Sequence, residues 1–223
     1  MKIKNIISFI FTLFPFSKLR IFLLNLFPSN KITFNSHIGF CNYIDAKKLH
    51  IVNSTIGSFN RIIGLNIYLE NSSVGKLNVI KYVDNYILED SMIYNRNSFI
   101  GTIDDSITET DKNNFIMQKK SLITHRHYFD LSFGITIGKN VVFGGEETQC
   151  WTHGYDCNRI LKGGPIVMGD NIYVGSRSMV LPNTTITNKV TIAAGTIVHK
   201  NITNSGVYAS NNLMLKKSYE ENK

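Results

Sequence analysis

The sequence predicts an all-β chain wound as a solenoid, and three observations carry that prediction. The first is a six-residue period. Reading every sixth residue from Ile32 gives Ile32, Ile38, Ile44, His50, Ile56, Ile62, Tyr68, Val74 and Ile80, of which seven of nine are aliphatic. A second run gives Met168, Val174, Val180, Ile186, Ile192 and Val198, and shorter runs give Ile87, Ile93, Phe99 and Ile137, Phe143. The second observation is that a small residue often follows the repeat position: Gly39, Gly57, Gly75, Gly138, Gly144, Gly169, Gly175 and Ala193. The third is composition. Only 18% of the 223 residues are charged, below the usual quarter, and Asn, Ile, Ser and Thr make up the difference. These residues suit strands and turns better than surface helices.

A period of six is neither the helical 3.6 nor simple alternation. It fits a chain that turns a corner every six residues, so that three strands complete a triangular coil. The aliphatic side chain points inward and stacks on its equivalent one coil on. The small residue sits where the corner is tight. No single coil buries its apolar face alone; the stack does.

Taken in order, residues 1–30 form an N-terminal segment apart from the repeat. Residues 6–16 and 21–27 are almost wholly apolar, with Lys2 and Lys4 before them and Ser17, Lys18 and Arg20 between. No small-residue cleavage site follows, which argues against a signal peptide. Pro15, Lys18 and Arg20 interrupt the uninterrupted run of about 20 apolar residues that a membrane span needs. Two short amphipathic helices are expected, lying either in a membrane interface or as a packed cap or subunit contact. The solenoid is expected over residues 31–210. Within it, residues 100–135 show no clean repeat and residues 102–120 read as a loop. Residues 145–165 break the period again as an excursion, which often carries function. Residues 211–223 form a tail. The three cysteines, Cys41, Cys150 and Cys157, make no CxxC pair and fit reduced thiols in a cytoplasmic protein. The net charge of +8 suits an anionic partner. Because the lysines are scattered, nucleic acid is the weakest of those partners.

Residues 169–202 (GDNIYVGSRSMVLPNTTITNKVTIAAGTIVHKNI) resemble the hexapeptide-repeat acyltransferases, and the resemblance covers roughly residues 32–210. It implies a left-handed parallel β-helix, a homotrimer with active sites between subunits, and acetyl-CoA as co-substrate with no metal. Residues 127–130 (HYFD), 137–140 (IGKN) and 149–154 (QCWTHG) are similar to the acetyltransferases of bacterial surface-polysaccharide clusters. The implied activity is O-acetylation of a sugar hydroxyl on a polysaccharide or its lipid-linked precursor, in the cytoplasm or on the inner face of the membrane.

Acyl transfer to a hydroxyl needs a base, and a neutral imidazole serves near neutral pH. His153 lies in the excursion and matches the family's catalytic histidine, with Gly154 beside it leaving room for substrate. His127 is expected to assist it or bind acceptor hydroxyls. Asp156, Glu146, Glu147 or a backbone carbonyl are the candidates to orient the ring, with Asp156 favoured. His50, at an inward repeat position, reads as a core residue. A nucleophile drawn from Cys150 or Cys157 is the minor alternative. The resemblance places Tyr173, Ser176, Ala194 and Gly195 along the pantetheine arm, and His199 and Lys200 near the phosphates. His199 stands where the family has Thr. Lys216 and Lys217 are candidates for the nucleotide 3′-phosphate. Three rivals remain. One is N-acetylation of a nucleotide-linked amino sugar. Another is a zinc enzyme like the γ-class carbonic anhydrases, whose histidine spacing differs. The last is a non-catalytic structural solenoid.

Overall fold

The structure is a computed structural model that describes residues 3–210. It is a left-handed parallel β-solenoid of three faces, capped at its N-terminal end by two helices, α1 (Ile3–Thr12) and α2 (Ser17–Leu24). Every strand pair is parallel except one short antiparallel hairpin. The second face stacks nine short strands from His37–Ile38 to Gly206–Tyr208. The first and third faces join into one sheet, because the strands Tyr43–Val52, Arg61–Glu70 and Val79–Glu89 run through the corner between them without a break.

The inward rows follow the aliphatic period. On the second face Ile38, Ile56, Val74, Ile93, Ile123, Phe143, Val174 and Ile192 lie in register, each buried. On the third face the row is Ile44, Ile62, Ile80, Phe99, Phe129, Cys150, Val180 and Val198. Mid-solenoid the column turns aromatic: Phe99 and Phe129 stack at 4.8 Å, flanked by Tyr86, Phe115 and Phe143.

Three expectations need correction. His50 does not point inward. Leu49 and Ile51 do, and the half-exposed His50 ring packs edge-on against Tyr68 at 5.1 Å. The unbroken strand Tyr43–Val52 takes the third corner without a tight turn, so the residues buried after Ile44 are Ala46, Leu49 and Ile51, and none falls six on. Residues 100–135 are not without repeat, since Met117, Ile123, Phe129 and Ile135 are all buried at intervals of six. The insertion narrows to residues 101–113, because Asn114–Met117 and Leu122–His125 are strands of the solenoid. Likewise residues 145–152 stay in the coil, with Thr148 and Cys150 buried, and the excursion itself is the hairpin of His153–Tyr155 with Leu161–Gly163.

The corner glycines serve contact rather than conformation. A Cβ on Gly39 would strike the Gly57 carbonyl, and one on Gly57 would strike Gly75, because the coils stack backbone on backbone there. The positive φ that the corner requires falls two residues later, on Cys41, Phe59, Leu77 and Arg177, and at the equivalent Arg96 and Arg126, which follow Tyr94 and Thr124 instead of glycine. Bulky residues rarely hold this backbone. The side chains at Phe59 and Leu77 are half-exposed.

Inside the corner between the second and third faces runs a ladder of buried amides. Asn42, Asn60 and Asn78 each accept, through Oδ1, the backbone N–H of the next rung, at 2.8 Å in each case. Asn97 continues it by accepting from the His127 N–H at 2.8 Å. Each rung pairs a buried backbone donor that the turn leaves without a strand partner.

Candidate active site

The strand Tyr128–Asp130 ends its run on the third face with a carboxylate turned inward, its side chain 3% exposed. Asp130 Oδ2 accepts from the Thr152 N–H and hydroxyl, both at 2.8 Å, and from the His153 N–H at 3.1 Å. Oδ1 accepts from the Ser132 N–H at 3.1 Å and its hydroxyl at 2.7 Å. Burial alone raises a carboxyl pKa. Here the Ser132 and Thr152 hydroxyls, His153 and the Thr152 amide outweigh it, and Asp130 is held below its ordinary value. It is therefore an anion at neutral pH.

His153 Nδ1 lies 2.7 Å from Asp130 Oδ2. An ionised carboxylate only accepts, so Nδ1 carries a proton, and in the neutral ring the lone pair is on Nε2. The imidazole is 29% exposed, and Nε2 has no partner among the described residues. A carboxylate behind and a free nitrogen in front is the arrangement of a general base. A Cβ built on Gly154 meets nothing within 4 Å, so the space beside the ring is open.

The surrounding chain holds this geometry. Phe133 N–H donates to Thr152 Oγ1 at 3.1 Å, and Gly164 N–H to the Thr152 carbonyl at 3.0 Å. Gly163 lies so close to the Phe133 ring that a Cβ would collide with it. Asp156, the favoured partner from sequence, does not reach His153. It closes the hairpin tip instead, accepting at Oδ1 from the Asn158 and Ile160 N–H groups at 2.9 Å each, and it pairs with Lys162 at 3.9 Å. The orienting carboxylate lies on the preceding coil. Its sequence signal was Asp130 itself, last residue of the HYFD segment, but the 23-residue gap to His153 hid the pairing.

His127 is a ladder rung. It is 1% exposed, its Nδ1 accepts the Thr148 N–H at 3.1 Å, and its Nε2 faces the Thr124 hydroxyl at 3.0 Å. Burial, with His125 nearby, pushes its pKa down to about 4. Both nitrogens are engaged, so the expected assistance to His153 has no free atom to supply it. His125 accepts the Asn95 N–H at Nδ1, 3.3 Å away. Cys150 is a core residue whose thiol burial pushes far up, which leaves no thiolate to act as nucleophile. Among the described residues no three His, Cys, Asp or Glu side chains converge.

Sequence reasoning also missed an aromatic pair. Tyr128 and Trp151 lie outward on the third face with rings 4.7 Å apart, two residues before Asp130 and His153 respectively, and Trp151 Nε1 donates to Gln149 at 2.9 Å.

The expected donor residues divide between two corners. Tyr173, Ser176, Ala194 and Gly195 sit along the second face and the corner after it, where Gly195 N–H donates to the Ser176 carbonyl at 2.9 Å and Ser176 Oγ reaches the Gly144 carbonyl at 3.4 Å. His199 and Lys200 follow the strand Ile197–Val198 at the other corner, two coils beyond the Trp151–His153 segment. There they line an end groove of about 650 Å³. Lys216 and Lys217 lie outside the described residues.

No protein-family profile matches the chain. Over 92 residues it is 33% identical to the bifunctional protein GlmU of Baumannia cicadellinicola subsp. Homalodisca coagulata, covering 41% of this chain. The matched stretch spans only 18% of that relative's length. Among solved structures, LpxA from Acinetobacter baumannii superposes with a TM-score of 0.50 at 14% identity, over 82% of this chain and 68% of that one. A maltose O-acetyltransferase from Clostridium difficile 630 aligns at 24% identity with a TM-score of 0.38, over 66% and 70% of the two chains. By fold, the chain is a left-handed parallel β-helix, the architecture of the acyltransferases that its C-terminal coils resemble in sequence.

Proposed function

We propose that the chain is an acetyl-CoA-dependent O-acetyltransferase acting on a sugar hydroxyl of a bacterial surface polysaccharide or its lipid-linked precursor. The observation that carries this reading is the His153–Asp130 pair, with its outer nitrogen free and open space beside it. Nε2 takes the proton of the acceptor hydroxyl as its oxygen attacks the acetyl carbonyl. The carbon–sulfur bond breaks, and the proton passes from the imidazolium to the departing sulfur, so coenzyme A leaves as the free thiol. Asp130 holds the ring and stabilises its charged form. The Tyr128–Trp151 pair offers an aromatic surface of the kind on which a sugar ring stacks.

The donor side fits coenzyme A in chemistry. Gly195, at φ +71° with nothing within 4 Å of a built Cβ, leaves an open backbone edge for an extended arm. Tyr173 is half-exposed on the second face, and Lys200 supplies charge for phosphate. Because these residues sit at two corners of one chain, we place the complete site between copies. One chain's His153 corner faces the Tyr173–Gly195 corner of its neighbour in a homotrimer.

The test mixes acetyl-CoA with candidate glycans and with nucleotide-linked amino sugars, and reads thiol release and the product mass. Thiol release that depends on a hydroxyl acceptor and vanishes in His153→Ala supports the reading. Transfer only to amines moves it to N-acetylation. Undiminished transfer by His153→Ala sinks the mechanism.

A further inference from the structure

Helix α1 is inside out. Its polar residues Asn5, Ser8 and Thr12 are buried against the solenoid, while Ile3, Ile6 and Ile10 face outward. Asn5 Nδ2 donates to Asp45 at 2.6 Å, and the Thr12 hydroxyl donates to the Asn42 carbonyl at 2.8 Å. Helix α2 sends Ile21 and Leu24 into the core and buries Arg20, whose Nε donates to the Ile38 carbonyl at 2.8 Å. Phe16, Phe22 and Leu26 stay outside, 70%, 53% and 58% exposed. The cap thus spends its buried polar groups on the solenoid and turns a set of large apolar side chains outward. Large exposed apolar patches mark an interaction site.

The charge around this surface identifies its partner. Leaving out the buried Arg20, residues 1–48 hold six Lys and a single acid, Asp45, a surplus of five positive charges against eight for the whole chain. Asp45 is already tied to Asn5. A second copy docked on the same face would bring two such surpluses together, which like-charge repulsion opposes. An anionic bilayer complements both features, taking the apolar side chains between its lipids and the cations at its headgroups. No helix among the described residues is long and apolar enough to cross a membrane. At ten and eight residues, the two helices reach about 15 and 12 Å, against a hydrocarbon core of about 30 Å.

We propose that the α1–α2 cap seats the solenoid end-on against an anionic lipid surface. This stands independently of the chemistry at His153. The test is co-sedimentation of the full chain with vesicles of phosphatidylglycerol and phosphatidylcholine, and with phosphatidylcholine alone. The double variant Phe16→Ser/Phe22→Gln changes only exposed side chains, and a serine at the N-cap position favours the helix start. The full chain is expected to sediment with the anionic vesicles, and the variant to lose about tenfold or more in apparent affinity with its melting temperature and oligomeric mass unchanged. Three results overturn the proposal. The chain fails to sediment with anionic vesicles. The variant binds as tightly as the parent. The variant loses oligomeric mass by light scattering, in which case the face joins copies.

Discussion

His127 and His153 lie 26 residues apart, one at each end of the third face, and the solenoid uses them in opposite ways. His127 Nδ1 accepts a backbone N–H, while His153 Nδ1 donates to a carboxylate. The two rings are therefore held as opposite tautomers. A ring pinned by a backbone donor is drawn into the stack, where Thr124 takes its second nitrogen and burial keeps it neutral. A ring pinned by Asp130 stands at the rim with its second nitrogen turned outward. The lesson is that a histidine's capacity as a base depends on which atom anchors it.

The largest effect that tests this contrast is at His153. His153→Ala is expected to lower kcat for acetyl transfer about 10³-fold, the scale of a lost general base, with little change in melting temperature. Acceptor-dependent thiol release measures it. Asp130→Asn comes next. An amide can donate as well as accept, so it no longer enforces the proton on Nδ1. A fall in kcat of about 10²-fold is expected, with KM for acetyl-CoA changing little, as befits a positioning residue. An equal rise in KM with kcat intact would instead place Asp130 in donor binding.

At His127 the expected effect moves from rate to stability. His127→Asn restores the rung that Asn97 occupies one coil earlier and leaves acetyl transfer within about threefold of the parent. His127→Ala leaves the Thr148 N–H buried without an acceptor, at about 1–3 kcal/mol. Acid should expose the same rung. The folded pKa is about 4, below the unfolded value of about 6.5. The fold therefore favours the neutral ring, and its contribution is fully present above pH 6.5. It is lost as pH falls toward 4, by up to about 3 kcal/mol. Denaturant titrations across this range should slope steeply for the parent and less for His127→Asn. Equal slopes would break the assignment.

The same contrast shows what could be read from sequence. The solenoid was legible because one inward position per face repeats, and aliphatic side chains at Ile38, Ile56 and Val74 or Val174 and Ile192 announce it. It faded after Ile100, where the insertion at 101–113 breaks the spacing between one inward residue and the next, and Met117, Phe129 and Cys150 stand where Ile or Val stands elsewhere. His153 was legible from its segment, since a loop leaving the repeat has a local signature. Its partner was not. Contacts between coils join residues far apart in the chain, Asn42 with Asn60 at 18 residues and Asn140 with Asn171 at 31, and insertions vary the step. Asp156, three residues from His153, looked closer along the chain than Asp130, but hydrogen bonds in a solenoid run mainly across coils.

The smallest expected effect concerns a buried group that lacks what His127 has. Tyr86 is fully buried among Phe99 and Phe115, and its hydroxyl finds no hydrogen-bond partner among the described residues. Burial pushes its pKa well up, so it stays neutral and simply forgoes its bonds with water. A buried hydroxyl without a partner costs stability, and replacing it with a hydrogen keeps the ring packing intact. Tyr86→Phe should therefore stabilise the chain by about 1 kcal/mol, seen as a raised denaturation midpoint at unchanged slope. His127→Phe, a ring placed where both polar atoms are used, should do the reverse. If Tyr86→Phe destabilises instead, the hydroxyl has a partner, and the aromatic column between the two corners is a polar site rather than packing alone.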